Sequence, residues 1–289
     1  MVEHTVKHVK KDKTPLSLKV ISWLYPKVEK TFPSLAHRYF IHLFFSPFRY
    51  PVPEKEREVE QQAERSTVIV DGKKIQVYGW GSGPIILLVH GWAGRSSQFR
   101  KFIPVFHQAG YRVVGFDGPA HGRSEGKQTN LLEFNTVIHY VVKMMGEPVA
   151  IVAHSFGGAA SLFAIMNGLG VKKLINISSP TIGDEIINTY LKAIHGSAAT
   201  ANAFKQYMIR RFGKSFDEFS SVHVVQHVPS DLRLLLIHDD KDKEVTIDHA
   251  MALLKVYPSA GFLKTSGLGH TRILKDDAII HQCLDFIKG

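Results

Sequence analysis

The sequence predicts an α/β protein in which a mostly parallel β-sheet is covered by helices on both faces. Short apolar runs suited to buried strands recur along the chain, helical stretches separate them, and polar residues capable of catalysis follow several of the runs. The predicted strands of the parallel part are 85–90, 111–116, 148–154, 171–177, 234–238 and 261–265. A hairpin at 67–70 and 75–80 precedes them and turns at Asp71 and Gly72.

Composition is that of a globular protein with one main domain. The chain has 289 residues, of which 44% are hydrophobic and 21% charged. Its single cysteine, Cys283, excludes an internal disulfide framework and is expected to pack as a small apolar residue on the last helix. No apolar run is long enough to span a membrane and no signal-peptide pattern is seen, so we expect a cytoplasmic protein.

Two regions flank or interrupt the predicted sheet. Residues 1–60 are predicted to form an N-terminal helical extension that ends in a proline-containing, charged linker, and residues 61–289 the main domain. About 50 residues, near 180–230, exceed the dozen that a crossover needs and predict a small helical cap. Its apolar residues recur at helical spacing, so most should face a core and the rest line an acyl pocket: Ile186, Ile187, Tyr190, Leu191, Phe204, Tyr207, Met208 and Phe212.

Ser155 is the first candidate catalytic residue. It lies between an apolar strand and a helical stretch, on a turn that forces a nucleophile into a strained conformation. Residues two positions away must then be small, and they are Ala153 and Gly157. The free N–H groups at the start of the helix favour an anionic intermediate. Taken alone, the motif also fits a serine in an ordinary tight turn.

Three motifs in order resemble those of the α/β-hydrolase superfamily, in particular its lipase, esterase and serine-peptidase-like members. They are HGWAG at 90–94, DGPAHGRS at 117–124 and AHSFG at 153–157, and the resemblance covers about residues 66–289. AHSFG departs from the usual G-x-S-x-G only at Ala153. The resemblance implies the α/β-hydrolase fold, a Ser-His-acid triad, an oxyanion hole of two backbone N–H groups and neither cofactor nor metal. It does not identify a substrate.

The resemblance also implies which residues complete the site. The oxyanion donors would be the N–H groups of Phe156 and Trp92. His270, in a glycine-rich loop after the last strand, would be the general base. His90 is better interpreted as a hydrogen-bonded core histidine.

The triad acid is placed on Asp242 by the family pattern H-G-x-x-D-x-x-V. Four acids lie within six residues here, so a solvated charged turn is the alternative interpretation, and Asp240 remains a competitor. Some relatives take the acid after the preceding strand, where Asp184 and Glu185 would be the candidates. The sequence therefore predicts the ordered trio Ser155, Asp242 and His270.

These residues predict hydrolysis of a small-molecule carboxylic ester or thioester through an acyl-enzyme on Ser155. Acyl transfer, amide or peptide hydrolysis and perhydrolysis would use the same triad. A noncatalytic hydrolase-fold protein that binds a ligand or partner is the alternative from another class. Arg95 and Arg100, near the oxyanion loop, are possible binders of a substrate carboxylate or phosphate, although solvation at the surface is favoured for both.

The net charge of +10 is uneven. Residues 1–50 hold nine Lys or Arg against three Asp or Glu, together with many apolar and aromatic residues. Peripheral membrane contact is one interpretation, and the favoured alternative is an extension that docks its apolar face on the hydrolase body. Nucleic-acid binding is disfavoured, because no zinc spacing, phosphate loop or RNA-binding aromatic motif accompanies the charge.

Overall fold

The computed structural model describes residues 16–289, so the predictions for residues 1–15 lie outside the described residues. Its strands are β1 (Glu64–Val70), β2 (Lys73–Trp80), β3 (Ile85–Val89), β4 (Arg112–Phe116), β5 (Ala150–His154), β6 (Lys173–Ile177), β7 (Arg233–Asp239) and β8 (Gly261–Thr265). They form one sheet in the order β1-β2-β4-β3-β5-β6-β7-β8. The β1–β2 and β2–β4 pairs are antiparallel and the other neighbouring pairs are parallel. The prediction of a mostly parallel sheet is confirmed.

Helices surround this sheet. They are α1 (Leu16–Thr31), α2 (Pro33–Phe44), α3 (Glu54–Gln61), α4 (Phe102–Gln108), α5 (Leu131–Met145), α6 (Phe156–Met166), α7 (Gly183–Ile194), α8 (Ala198–Phe212), α9 (Ser221–Val224), α10 (Asp248–Val256), α11 (Gly269–Arg272) and α12 (Asp277–Lys288). Short 3₁₀ turns occupy Ser96–Phe99, Phe216–Phe219, Val225–His227 and Ile273–Lys275. Within residues 16–289, no helix has both the length and the apolar character needed to cross a bilayer.

Alternation along the strands divides the core into two layers. In β3, Leu87 packs with α5, α6 and α10, whereas Ile86 and Leu88 pack on the other face with α4 and α12. All three side chains are buried, as expected where helices cover both faces of a parallel sheet. Cys283 is fully buried on α12 and packs as an apolar side chain, as predicted.

The charged run after Pro53 is a helix, which corrects the expectation of a linker. Glu56 and Glu60 are four residues apart on α3 and therefore share one face, where both are buried. Both carboxylates accept a hydrogen bond from Ser97, and Glu60 also binds the guanidinium of Arg123 at 2.9 Å. One face of this charged run is therefore buried. The sequence does not reveal this, because the residues that pair with the buried carboxylates lie far along the chain.

The N-terminal helices pack mainly on the segment between β6 and β7, named here the β6–β7 insertion (residues 178–232), and the end of α2 also contacts residues 128–129 of the main domain. The fully buried Phe40 of α2 contacts the ring of Phe204 of α8 edge-on, with centroids 5.6 Å apart. The Tyr25 hydroxyl shares a 2.8 Å hydrogen bond with Thr200, whose own hydroxyl lies 2.6 Å from a Glu29 carboxylate oxygen. The apolar face of the N-terminal helices is thus covered largely by the helices of the insertion.

Candidate active site

Ser155 occupies a strained turn between β5 and α6. Its backbone has φ +52° and ψ −126°, a conformation that costs on the order of 1–3 kcal/mol for a residue other than glycine. The turn brings the backbone so close to β3 that a Cβ added at Gly157 would lie 2.3 Å from the carbonyl oxygen of Val89. The small residue at this position is thus required by a close approach of two backbones. The turn lifts Ser155 to the carboxyl edge of the sheet, at the wall of a cavity.

The structure brings Ser155, His270 and Asp242 into one hydrogen-bonded chain. The distance between His270 Nε2 and Ser155 Oγ is 3.1 Å, and that between His270 Nδ1 and Asp242 Oδ2 is 2.7 Å. A carboxylate only accepts, so Nδ1 carries the imidazole proton and Nε2 presents its lone pair to the serine hydroxyl. This is the protonation state that a general base next to a nucleophile needs.

The carboxylate of Asp242 is held by more than the histidine. Its Oδ1 atom accepts hydrogen bonds from the backbone N–H groups of Glu244 and Val245 at 2.9 and 3.0 Å. Burial by itself raises the pKa of Asp242, but the hydrogen bond and charge of His270 and these two N–H groups outweigh it, so the pKa lies below its ordinary value. The carboxylate therefore stays ionised beside the imidazole.

The alternative acids do not contact His270. Asp240 lies 3.5 Å from the ammonium group of Lys264, and Asp184 on α7 pairs with Lys205. Glu185 also lies in the first turn of α7, where acidic side chains are favoured by the helix dipole. The neighbouring Asp239 instead accepts hydrogen bonds from Thr265 and from the backbone of Leu268, which fixes the loop before His270.

The loop of residues 90–94, which carries the predicted oxyanion donor Trp92, is fixed by two buried histidines. His90 Nε2 accepts a 2.9 Å hydrogen bond from Gly118 N–H, and its Nδ1 donates to the carbonyl of Gly91 at 2.8 Å, so it is the satisfied core histidine that was predicted. His121 Nε2 accepts from the backbone of Ala93 at 3.0 Å. Burial lowers the pKa of His90 to about 4 and that of His121 well below its usual value. Both rings are therefore neutral, and their hydrogen bonds hold the loop in place.

Trp92 and Phe156, the two predicted oxyanion donors, line the same cavity as Ser155. Phe156 is the first residue of α6, and its ring contacts that of Trp92 edge-on at 5.3 Å. In the described part of the chain, neither amide hydrogen has an acceptor. Two unengaged N–H groups beside a nucleophile can bind the oxygen of a tetrahedral intermediate.

A cavity of about 500 Å³ opens above Ser155 and His270. Most of its lining is apolar, and much of that comes from α2 and the β6–β7 insertion: Phe44, Phe45, Tyr190, Met208, Phe212 and Phe216. Of the insertion residues considered in the sequence, Ile187, Leu191 and Phe204 are instead buried among the helices. The cavity thus has the size and polarity of a small-molecule site.

Neither Arg95 nor Arg100 lines this cavity, so the structure gives no support to their interpretation as substrate binders, and the burial of Arg95 corrects its interpretation as a solvated side chain. Arg95 is only 3% exposed, donates to the carbonyl of Tyr50 at 2.8 Å and stacks over the Tyr50 ring. Its guanidinium lies 3.8 Å from the Glu56 carboxylate. Arg100 is half-buried, and its charge also acts on Glu56. Burial raises the pKa of Glu56 above its ordinary value, and the charges of the two arginines oppose this rise. Both cations face α3 because its buried acids need positive partners.

Sequence reasoning missed three contributors to the site. Phe44 and Phe45 belong to an aromatic run that was noticed but assigned to docking, and His154, directly before Ser155, was read only as the end of a strand. His154 Nε2 donates a 2.9 Å hydrogen bond to the backbone carbonyl of His270. Within residues 16–289, no group of three His, Cys, Asp or Glu side chains has a metal-binding arrangement.

Comparison with known proteins agrees with this fold. A family model described as the alpha/beta hydrolase fold matches residues 84–219. The 30 kDa magnesium-chelatase subunit of Rhodobacter capsulatus is 28% identical, covering 47% of this chain and 49% of that protein. A non-heme haloperoxidase of Rhodococcus erythropolis is also 28% identical, covering 46% of this chain and 40% of that protein. The chain thus spans about half or less of these curated relatives.

Solved structures extend the match over more of the chain. An esterase of Exiguobacterium antarcticum superposes with a TM-score of 0.59 at 18% identity, covering 78% of this chain and 100% of that one. At this identity the likeness shows the fold alone. Together with the family model, it shows that the chain has the α/β-hydrolase fold.

Proposed function

We propose that the protein is a serine hydrolase that cleaves a carboxylic ester or thioester through an acyl-enzyme on Ser155. The observation that carries the proposal is the hydrogen-bonded chain from Ser155 through His270 to Asp242, which opens on an apolar cavity. A nucleophile, a base and an orienting acid in sequence are the arrangement that nucleophilic acyl transfer requires.

In the acylation step, Ser155 Oγ attacks the carbonyl carbon of the substrate while His270 Nε2 takes the hydroxyl proton. The oxygen of the tetrahedral intermediate is stabilised by the N–H groups of Phe156 and Trp92. His270 then returns the proton to the leaving alcohol or thiol as the acyl–oxygen or acyl–sulfur bond breaks. Asp242 stabilises the imidazolium that forms between the two transfers.

In the deacylation step, water attacks the acyl-enzyme and gives its proton to His270, which passes it to Ser155 Oγ as the acid leaves. The apolar lining above Ser155 supports a hydrophobic acyl group as the part of the substrate that the cavity holds. We further propose that the β6–β7 insertion acts as the cap over this cavity, because Tyr190, Met208 and Phe212 form part of its wall.

Labelling with a fluorophosphonate followed by intact-mass measurement tests the proposal. We expect one adduct on the wild-type protein and none on Ser155→Ala or His270→Ala. Ser220→Ala is the matched control, because Ser220 lines the same cavity but its hydroxyl donates to the carbonyl of Asp217 instead of facing a histidine. This control should label like wild type.

Absence of an adduct on folded wild-type protein would favour the noncatalytic, ligand-binding alternative. In that case Ser155→Ala would leave the binding phenotype unchanged, whereas for a hydrolase it should remove on the order of six decades of rate. Amide hydrolysis, acyl transfer and perhydrolysis are separated by offering the acyl-enzyme an amine, an alcohol or hydrogen peroxide in competition with water. The haloperoxidase relative makes the peroxide arm worth including.

We also propose peripheral membrane contact through the outer surface of α1 and α2. Seven large apolar side chains are exposed there: Leu16, Val20, Trp23, Leu24, Phe32, Leu35 and Tyr39. The two helices carry four Lys or Arg residues and one acid, Glu29, whose carboxylate is engaged by Ser197 and Thr200. Apolar side chains interspersed with cations suit the surface of an anionic bilayer.

Co-sedimentation with vesicles tests this contact. We expect wild-type protein to bind phosphatidylglycerol vesicles more strongly than phosphatidylcholine vesicles, and a Trp23→Ser/Leu35→Ser variant to lose most of that binding. Ile69→Ser is the matched control, since Ile69 is as exposed as Trp23 but lies on β1. Equal binding of the double variant and the control would contradict membrane contact.

A further inference from the structure

A second cavity, of about 470 Å³, lies beside the apolar one. It is enclosed by α2, the segment before α5, the first turn of α5 and the end of α8. Phe45, Asn130 and Phe212 line both cavities, so the two spaces adjoin across these side chains. Its chemistry differs from that of the first cavity, because charged and polar side chains supply much of its wall.

Two exposed arginines line this second cavity. Arg38 comes from α2 and Arg211 from the last turn of α8, and both line it. Among residues 16–289, neither guanidinium makes a side-chain hydrogen bond or an ion pair, although Arg211 lies 5.3 Å from the centre of the Phe212 ring. Two guanidinium groups without a partner at one cavity favour an anionic ligand, and their planar donor sets fit phosphate or carboxylate.

A buried hydroxyl group without a partner also favours a ligand with oxygen acceptors, such as phosphate or carboxylate. Thr129 lines the cavity, is only 1% exposed, and its Oγ1 atom has no hydrogen-bond partner. Its backbone N–H donates to the carbonyl of Phe45, which ties the backbone at Thr129 to the end of α2. A buried hydroxyl without a partner is costly in a folded protein, and an oxygen acceptor on a ligand would remove that cost.

The one carboxylate that lines the cavity does not cancel its charge. Glu133 Oε2 lies 2.7 Å from the ammonium group of Lys73, which balances it. His42, also in the wall, shares its Nδ1 and its backbone carbonyl with the Gln128 amide. The balance of charge in the cavity is therefore positive through Arg38 and Arg211.

We propose that this second cavity is an anion subsite, and that the substrate is an amphiphilic ester or thioester with a phosphate or carboxylate group remote from the bond that is cleaved. This inference rests on the proposed acyl-ester function of Ser155. The apolar part of the substrate occupies the first cavity, and its anionic group binds Arg38 and Arg211 and accepts a hydrogen bond from Thr129. The paired cavities thereby select charged amphiphiles over neutral esters of the same chain length.

Equilibrium binding tests the subsite without turnover. Titration calorimetry on Ser155→Ala would compare octyl phosphate with octanol, which has the same alkyl chain and no charge. We expect octyl phosphate to bind about tenfold or more tightly, and this advantage to vanish when Arg38→Ala and Arg211→Ala are added. Arg210→Ala is the matched control, because Arg210 is exposed beside Arg211 but does not line the cavity. Equal affinity for the two ligands, or equal loss in the control, would overturn the proposal.

Kinetic pairs identify the anionic group. Wild-type protein would be offered mono-octanoyl glycerol with and without a 3-phosphate, and p-nitrophenyl octanoate against the p-nitrophenyl monoester of octanedioic acid. We expect kcat/KM to be about tenfold higher for the charged member of at least one pair, and the Arg38→Ala/Arg211→Ala variant to remove this preference. Inorganic phosphate should inhibit hydrolysis of the charged substrate of that pair only if the subsite also binds a free anion.

The outcomes separate the subsite from the proposed function. Equal hydrolysis of both members of each pair would overturn the subsite and leave ester hydrolysis standing. If no ester is cleaved and no fluorophosphonate adduct forms, the hydrolase proposal fails, and the octyl phosphate titration still decides the subsite.

Discussion

His154 donates a hydrogen bond of 2.9 Å from its Nε2 atom to the backbone carbonyl of His270, and the two rings lie 4.8 Å apart. Because His154 directly precedes Ser155, this bond ties the loop that carries the proposed base to the turn that carries the proposed nucleophile. Burial lowers the pKa of His154 to about 3, so the ring stays neutral and keeps its Nε2 proton. We therefore assign His154 a positioning role.

Replacement of His154 tests that role. His154→Phe removes the donor, and we expect kcat on a short acyl ester to fall about 10- to 100-fold with KM nearly unchanged, because His270 is displaced from Ser155. His154→Gln offers an amide donor and should recover part of the loss. Steady-state kinetics on both variants, with thermal unfolding as a check on folding, gives the result. Equal activity of the two variants would count against positioning through this hydrogen bond.

The parts of the fold that were predicted correctly carry their signal locally. Asp71 and Gly72 have φ +48° and +75°, the conformation of a tight hairpin turn, and these residue types tolerate it. The strained turn at Ser155 is likewise encoded by an apolar strand, a small residue on each side and a helix start. Short-range pattern decides such elements, so one sequence is enough to predict them.

What the sequence did not predict depends on contacts between distant residues. Arg95 is buried because Glu56, 39 residues earlier, needs a positive partner, and α3 is a helix whose acids face the core. Phe44 and Phe45 reach the cavity only because α2 packs on α8, and His154 gains its role from a carbonyl 116 residues away. Neither apolar periodicity nor charge pattern encodes which face of one helix meets which face of another.

The identity of the triad acid gives a second prediction. Asp242→Asn keeps the side-chain volume but removes the charge that orients His270, so we expect kcat/KM to fall on the order of 10⁴-fold. Asp240→Asn, two residues away and paired with Lys264, is the matched control and should stay within about twofold of wild type. Comparison of kcat/KM for the two variants decides between the acids. A larger loss for Asp240→Asn would move the acid to that residue.

Gly157 supplies a third prediction about the nucleophile turn. In Gly157→Ala the new methyl group would lie 2.3 Å from the Val89 carbonyl oxygen and 2.6 Å from that of His90, both backbone atoms that cannot move freely. We expect a loss of about 1–3 kcal/mol in the free energy of unfolding, together with lower activity as the turn shifts. Gly170→Ala, whose added Cβ meets only the end of the Glu147 side chain at 3.7 Å, should change little. Urea unfolding of both variants measures the difference, and equal stability would show that the β3 backbone yields.

Buried histidines make the stability of the protein depend on pH. Burial lowers the pKa of His90 to about 4, of His154 to about 3 and of His249 to about 4. In the unfolded chain these rings take up protons below about pH 6.5. Between pH 6.5 and 4 the unfolded state thus binds more protons, so the free energy of unfolding falls as the pH falls through this range.

One carboxyl group opposes this trend. Burial raises the pKa of Asp117 to about 6, so acidification protonates it in the folded state first and adds stability. Three histidines outweigh one carboxyl, and these four groups together should lower the free energy of unfolding by about 2–3 kcal/mol between pH 6 and pH 5. His249→Asn removes one of the three. Its Nδ1 accepts from the backbone N–H groups of Thr181 and Ile182, which an asparagine oxygen can partly replace.

Urea unfolding of wild type and His249→Asn at about pH 6 and pH 5 measures the two slopes. We expect the slope of the variant to be smaller by about 1 kcal/mol per pH unit, since one proton fewer is linked to unfolding. Met251→Asn, exposed on the same helix and without a titrating group, should keep the wild-type slope. If the free energy of unfolding of the variant changes with pH as steeply as that of wild type, His249 has the same pKa in the folded and unfolded states. That result would contradict the lowering of its pKa by burial.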